Sequence, residues 1–240
     1  NADLEIDNVT LATGGLTLGG SGVGGTGALR GRGSASHTGT VTLATASAIG
    51  TPTPTDTLSL NSPLTGQSLT KVGSGTLNLS GISSYAGGTT VAGGTLHLSA
   101  GAVLPSLGAV SLAGGGILEL NEANQRIGNL SGLAGTGISL GSGSLTVSQA
   151  SDGSFAGTLG GSGDLIKQGT ASLTLSGVNT TYTGTTRVQA GTLVAAGSGS
   201  ALGTGAVQVS GGATLEIDGV ALATGGLTLN GSGVGGAGAL

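Results

Sequence analysis

LTKVGSGTLNLSGISSYAGGTTVAGGTLHLS, residues 69–99, sets apolar side chains at every second position of short runs, as in Leu77-Asn78-Leu79 and Leu96-His97-Leu98, and closes each run with Gly or Ser. Alternation with period two marks a strand with one buried face. The pattern recurs at Leu16-Thr17-Leu18, Val41-Thr42-Leu43, Leu58-Ser59-Leu60, Leu118-Glu119-Leu120, Leu145-Thr146-Val147, Leu173-Thr174-Leu175 and Val207-Gln208-Val209. Glycine recurs too often for helix interiors, where each costs about 1 kcal/mol relative to alanine. An all-β chain is predicted, with one short helix or turn between Glu122 and Ile127.

The opening stretch returns as LIKQGTASLTLSGVNTTYTGTTRVQAGTLVA, residues 165–195. Lys71 meets Lys167, Leu77 meets Leu173, Leu79 meets Leu175 and Gly81 meets Gly177 at an offset of 96; Tyr85 then meets Tyr182, Val91 meets Val188 and Leu96 meets Leu193 at 97. The chain has only two Tyr. Both fall in the same slot, so these positions read as architectural. A longer repeat encloses the shorter one: residues 4–29 and 215–240 differ at four of 26 positions, 211 residues apart. The chain reads as one solenoid fragment, residues 1–240, with modules at about 4–68, 69–164 and 165–240, and as an internal piece of a longer protein.

Short strands with long-range repetition favour a solenoid over a sandwich or barrel. In a right-handed parallel β-helix each coil stacks on the last, and small aliphatic side chains fill a narrow interior. About 20 to 24 residues per coil gives roughly ten to twelve coils. Open ends and strand edges are expected to permit end-to-end stacking.

Composition narrows the functions. Gly supplies 54 of 240 residues, which raises the question of disorder, but Leu, Ile, Val and Phe together supply 58, above the range typical of disordered chains. With no Cys there is no disulfide and no thiolate metal site. Six Lys+Arg against ten Asp+Glu leave no basic face for nucleic acid. Gly, Ser or Thr interrupts every apolar run well short of a membrane-spanning helix. The first residues lack the basic start and apolar middle of a signal peptide.

Residues 73–99 and 160–217 resemble the passenger-associated repeat of Gram-negative autotransporter adhesins. The second copy supplies Leu165, Lys167, Gly169, Leu173, Leu175, Gly177, Asn179, Tyr182, Gly184, Thr186, Val188, Gly191 and Leu193 in the family's order. It departs at Ala171-Ser172 and in the extra Thr181, and the first copy has Ser83-Ser84 before Tyr85. The resemblance implies a right-handed β-helix stalk, displayed at the cell surface or secreted through a C-terminal outer-membrane β-barrel that this sequence does not include. It further implies roles in adhesion, self-association or biofilm, and in drawing the passenger outward as it folds. The absence of Cys suits a passage in which disulfide loops would obstruct threading.

No catalytic, cofactor or metal site is expected. G-x-G-x-x-G at residues 20–25 and 231–236 lacks the following helix that a dinucleotide requires. GGSGDL at residues 160–165 approaches a calcium repeat but is not iterated. Glu5, Asp7, Glu216 and Asp218 are expected on solvated faces, with Leu4, Ile6, Leu215 and Ile217 pointing inward. His37 and His97 are expected at the surface, as are Arg30 and Arg32, which form at most a small cationic spot. The Thr/Pro run at residues 51–55 reads as a protruding loop. The alternatives to an adhesin stalk are an inert scaffold for an enzyme or toxin, or a polysaccharide- or ice-binding solenoid. Partners would be further copies, a host surface or glycans.

Overall fold

A computed structural model describes residues 2–240. Short alternating strands cannot bury their apolar faces singly, so they stack in parallel, each turn of chain lying on the one before. Three sheets of 13, eight and six strands result. One ladder on the first face runs from Leu4 through Leu29, Ile49, Lys71, Val91 and Leu112, and continues through Gly132, Phe155, Leu175 and Ala195 to Ile217. Its eleven rungs define a parallel β-solenoid of about eleven turns, with steps of 20 to 25 residues. At about 4.8 Å per rung the stack is about 48 Å long.

The chain passes from the first face to the second and third and back. Leu69–Val72 lies on the first and Thr76–Leu79 on the second. The third is carried by Gln125–Ile127, Leu145–Ser148, Leu165–Gln168, Thr186–Val188, Ala206–Val209 and Gly226–Leu229. Toward the N-terminal end, Thr40–Gly50 runs from the third face to the first as one strand. Its first half pairs with Gly15–Gly20 and Leu64–Gly66, and its second with Leu29–Arg32 and Leu69–Val72. Beyond Leu64–Gly66 the third face continues as extended chain: Ser84 and Ala86 donate N–H bonds to the Leu64 and Gly66 carbonyls, and Ile82 bridges Val103.

A single core of buried Leu, Val, Ile and Ala side chains follows the axis, joined by Phe155, Tyr85 and Tyr182. Alternation is visible strand by strand: in Thr76–Leu79, Thr95–Leu98 and Ser172–Leu175 the leucines are buried and the residues between them are not. At Gly132 an aromatic ring takes the place of a side chain. A Cβ there would stand 2.5 Å from Phe155 Cδ2, so the next turn's ring occupies the slot that a Leu fills elsewhere.

Several expectations need correction. The turn expected near residues 122–127 is present at Asn121-Glu122, but Gln125–Ile127 is a strand, because Gln125 and Ile127 alternate inward with Arg126 outward. The helical elements among the described residues are two single 3₁₀ turns, Val23–Gly25 and Val234–Gly236. Leu4 and Ile217 do not point into a closed core; each is 37% exposed, since it lies on a turn covered from one side only. The Thr/Pro loop exposes Thr53, Pro54 and Thr55, but it is anchored by buried Thr51 and Asp56.

Candidate functional site

The residues that the internal repeat singled out line the solenoid from within. Leu77, Leu79, Leu173, Leu175, Val91, Val188, Leu96 and Leu193 are fully or almost fully buried. So are both lysines, and among the described residues neither Nζ is in a salt bridge. Corner geometry explains this. Gly73 and Gly169 follow Lys71 and Lys167 by two residues and take φ of 81° and 78°, a conformation that favours glycine; it swings the corner carbonyls toward the axis. Lys71 Nζ donates to the carbonyls of Val72 at 2.9 Å, Gly73 at 2.9 Å and Gly93 at 3.1 Å. Lys167 Nζ donates to those of Gln168 at 3.0 Å, Gly169 at 2.9 Å and Ala190 at 3.0 Å. Two acceptors lie on the lysine's own corner and the third on the corner of the next turn. Burial lowers both pKa values to about 8, with Asp152 opposing the shift at Lys167. At neutral pH the ammonium therefore keeps the three protons that its three acceptors use.

The tyrosines close the same motif. Tyr182 donates its hydroxyl proton to the Thr185 carbonyl at 2.9 Å and accepts the Leu165 N–H at 3.0 Å. Tyr85 shares a 2.5 Å bond with the Thr89 hydroxyl. Burial raises the pKa of both. Gly81 and Gly177 lie at turns where a Cβ would strike the chain of the preceding coil, at Pro63 N (2.6 Å) and the Gly157 carbonyl (1.8 Å).

The two motifs do not sit one above the other. Lys71, Tyr85 and Val91 occupy the first, third and first faces; Lys167, Tyr182 and Val188 occupy the third, second and third. From Lys71 the first-face ladder reaches Phe155 in four turns, and Lys167 lies two faces further along, beyond the second-face strand Thr158–Gly160. A 96-residue offset thus equals four and two-thirds turns, and the motif reappears rotated by one face of the prism.

Other polar groups are buried as well, among them Asn179 of the repeat pattern and several that the sequence reading did not single out. Asn179 accepts the Leu159 N–H at 2.7 Å and donates to the Ala201 carbonyl at 2.6 Å; Gln125 does the same for Leu104 and Ala102. Asp56 accepts N–H bonds from Gly33 and Thr53, each at 2.8 Å, and these bonds lower its pKa. His37 is a correction. It is fully buried because its position in Ser34–His37 alternates inward, and its Nδ1 lies 2.9 Å from the Leu11 carbonyl. His97 faces outward, 3.0 Å from Glu119. Arg30 and Arg32 form no free cationic spot: Arg30 pairs with Asp3 at 2.7 Å and Glu5 at 3.1 Å, and Arg32 pairs with Glu5 at 3.1 Å. Asp164 is bound to Arg187 and the Thr185 N–H. Among the described residues no three His, Cys, Asp or Glu side chains are grouped to hold a metal ion.

A family model described as the passenger-associated-transport-repeat matches residues 69–98 and 165–195. The chain carries this repeat twice. The matched segments are those whose Lys and Tyr side chains seal the corners described above, so the family pattern records a buried polar corner and the leucines around it. With the solenoid, the repeats fit an autotransporter passenger stalk, and they imply a secreted or cell-surface protein. No curated protein and no solved structure matches the chain.

Proposed function

We propose that the chain is a non-enzymatic stalk segment of an autotransporter adhesin, whose work is done by length, stiffness and repeated surface. The observation that supports this most is the placement of both passenger-associated repeats in one unbroken core, each tying a turn to the next through a buried lysine. Such a rod nucleates locally and grows turn by turn, since every stacking contact is made with the adjacent coil. Folding of this kind outside the outer membrane opposes backsliding of the emerging chain. The outward Thr, Ser and Asn positions offer hydrogen-bonding faces for further copies, a host surface or glycans.

The test is display. The segment is placed between a signal peptide and an outer-membrane β-barrel translocator in a Gram-negative host, and surface exposure is read by external protease. Efficient exposure of the unaltered segment, reduced when Lys71→Met and Lys167→Met are combined, is the expected result. A segment that folds in isolation yet remains inside the outer membrane would overturn the reading. Aggregation of displaying cells, compared with cells carrying the barrel alone, tests the adhesive part.

A further inference from the structure

Two rows of outward side chains run along the middle of the second face, and both rows have a gap at the same place. One carries Thr76, Thr95 and Ile117, then Gly137, then Thr158; the other carries His97, Glu119 and Ser139, then Gly160. Glycine within a strand forfeits stability and marks a close approach of backbone or ligand. At Gly73 and Gly169 the reason is a positive φ, and at Gly81 and Gly177 it is the chain of the preceding coil. Gly137 and Gly160 have neither. Their φ is not positive, and the atom nearest an added Cβ is in each case a threonine hydroxyl, that of Thr158 at 3.2 Å or of Thr181 at 3.1 Å. The two glycines lie on one diagonal of the face and the hydroxyls of Ser139 and Thr158 on the other. Between Ile117 and Thr181 this leaves a groove of about 310 Å³.

The same turns are hollowed again on the first face, where Ser111, Ser131 and Ser154 line a groove of about 250 Å³. Residues 133–136 form the corner between the two: Leu133 borders the first-face groove and Gly135 that of the second. Leu133 is 65% exposed, and Ile117 is 38% exposed. We propose that the two grooves together bind a neutral oligosaccharide laid across this corner.

Charge and main-chain pairing select this ligand. Among the described residues no charged side chain lines either groove, and the next charge along the row is the Glu119 carboxylate, in register with Ser139 and 3.0 Å from His97 Nδ1. Phosphates and acidic sugars find no cation there and meet a carboxylate at the rim. Both grooves are cut into sheet faces whose main-chain groups are already paired between turns, so an extended peptide has no strand edge to join. What the grooves offer is hydroxyls, which both donate and accept, beside the methyl groups of Ile117 and Leu133. A pyranose presents the matching chemistry, with C–H groups on its ring faces and hydroxyls around its rim. The larger groove lies at the lower end of the size range of small-ligand sites and the other below it. A single sugar is therefore held weakly, and a chain that fills both grooves is held better. The inference rests on the adhesive part of the proposed function and narrows its partners to neutral glycans.

The 240-residue chain, biotinylated and gathered on streptavidin so that weak sites act together, is applied to an array of neutral and acidic oligosaccharides from single sugars to short chains. Binding to neutral members, rising with chain length, is expected. Gly137→Thr with Gly160→Ser restores the kind of side chain that each row carries on neighbouring turns. It fills the second-face groove, keeps or raises the unfolding midpoint because strands disfavour glycine, and lowers binding about tenfold. Ser139→Ala with Thr158→Ala leaves the groove open, removes its hydroxyls and lowers binding by a similar factor, so the outcome does not hang on one variant's folding. Absence of binding, binding confined to acidic members, or neutral binding that both variants leave unchanged overturns the proposal. Surface display is read separately: glycan binding that fails while display is intact overturns this inference alone, and display that fails while glycan binding is intact overturns the stalk alone.

Discussion

Lys71 Nζ and the Gly93 carbonyl lie 22 residues apart in sequence and 3.1 Å apart in space, joining one corner of the solenoid to the corner of the next turn. Lys167 and the Ala190 carbonyl repeat the relationship at 3.0 Å on another face. Each ammonium crosslinks successive turns without a partner carboxylate.

Replacing either lysine with methionine keeps the aliphatic stem and takes the lysine donor from two part-buried carbonyls, those of Gly73 and Gly93 or of Gly169 and Ala190. The third, of Val72 or Gln168, keeps the N–H of Thr51 or Gln149. The expected cost is about 2–4 kcal/mol per site, since each unpaired buried acceptor is destabilising by about 1–3 kcal/mol and some relax. Repeat arrays open locally, so hydrogen exchange resolves the effect. Lys71→Met lowers protection at Ala92 N–H, which bonds the Lys71 carbonyl, and spares Gln189 N–H, which bonds that of Lys167; Lys167→Met does the reverse. The two costs add, because the sites share no partner.

The same lysines set a pH dependence. Their folded pKa of about 8 lies below the unfolded value of 10.5, so between these values the unfolded chain holds more protons and stability rises with pH. The gain has an upper limit of about 1.4 kcal/mol per lysine per pH unit. Above about pH 10 the buried tyrosines reverse the trend, because they stay neutral in the fold while those of the unfolded chain ionise. Denaturant midpoints measured from pH 7 to 11 should therefore climb from about 8, peak near 10 and then fall. In the double methionine variant the climb disappears and the fall remains.

Strand alternation, the repeats and the stacking of turns were legible because inward positions carry Leu or Val and outward positions carry Thr, Ser or Asn. That rule fails where an inward position is polar. His37, Gln125 and Asn179 each occupy a slot that alternation assigns to the core, and each is buried because a corner leaves main-chain groups to be satisfied. A signal was present for Gln125, which precedes inward Ile127 by two residues. Asp56 gave little, since its bond from Thr53 N–H is local to the loop but its bond from Gly33 N–H forms only after a turn has stacked. Rotation of the repeat by one face was likewise hidden, because it depends on how many residues each corner consumes.

The tyrosines occupy one slot of the motif with unequal hydrogen bonding. Tyr182→Phe takes one partner each from the buried Leu165 N–H and the half-buried Thr185 carbonyl, which keep their own bond to each other at 3.0 Å. Tyr85→Phe removes only the bond with Thr89. Losses of about 1–2 kcal/mol at Tyr182 and about 0.5–1.5 kcal/mol at Tyr85 are expected. Equal losses in thermal unfolding of the two variants would show that the ring alone, and not the hydroxyl, determines what this slot contributes.

Gly132 and Phe155 test how far the interior behaves as one packed column. Alanine at 132 drives a methyl into the Phe155 ring, 2.5 Å from Cδ2, and the ring has no free space to enter because it is fully buried. Overpacking of this kind costs about 1–3 kcal/mol. Phe155→Ala opens a cavity and costs about 3–5 kcal/mol. Combining Gly132→Ala with Phe155→Leu returns volume to the slot while shortening its occupant, so the double variant should be more stable than the sum of the two single changes predicts. The coupling in denaturant midpoints is expected at about 1 kcal/mol or more, as for residues in direct contact. Strict additivity would mean that the two turns adjust independently, which an interlocked column does not permit.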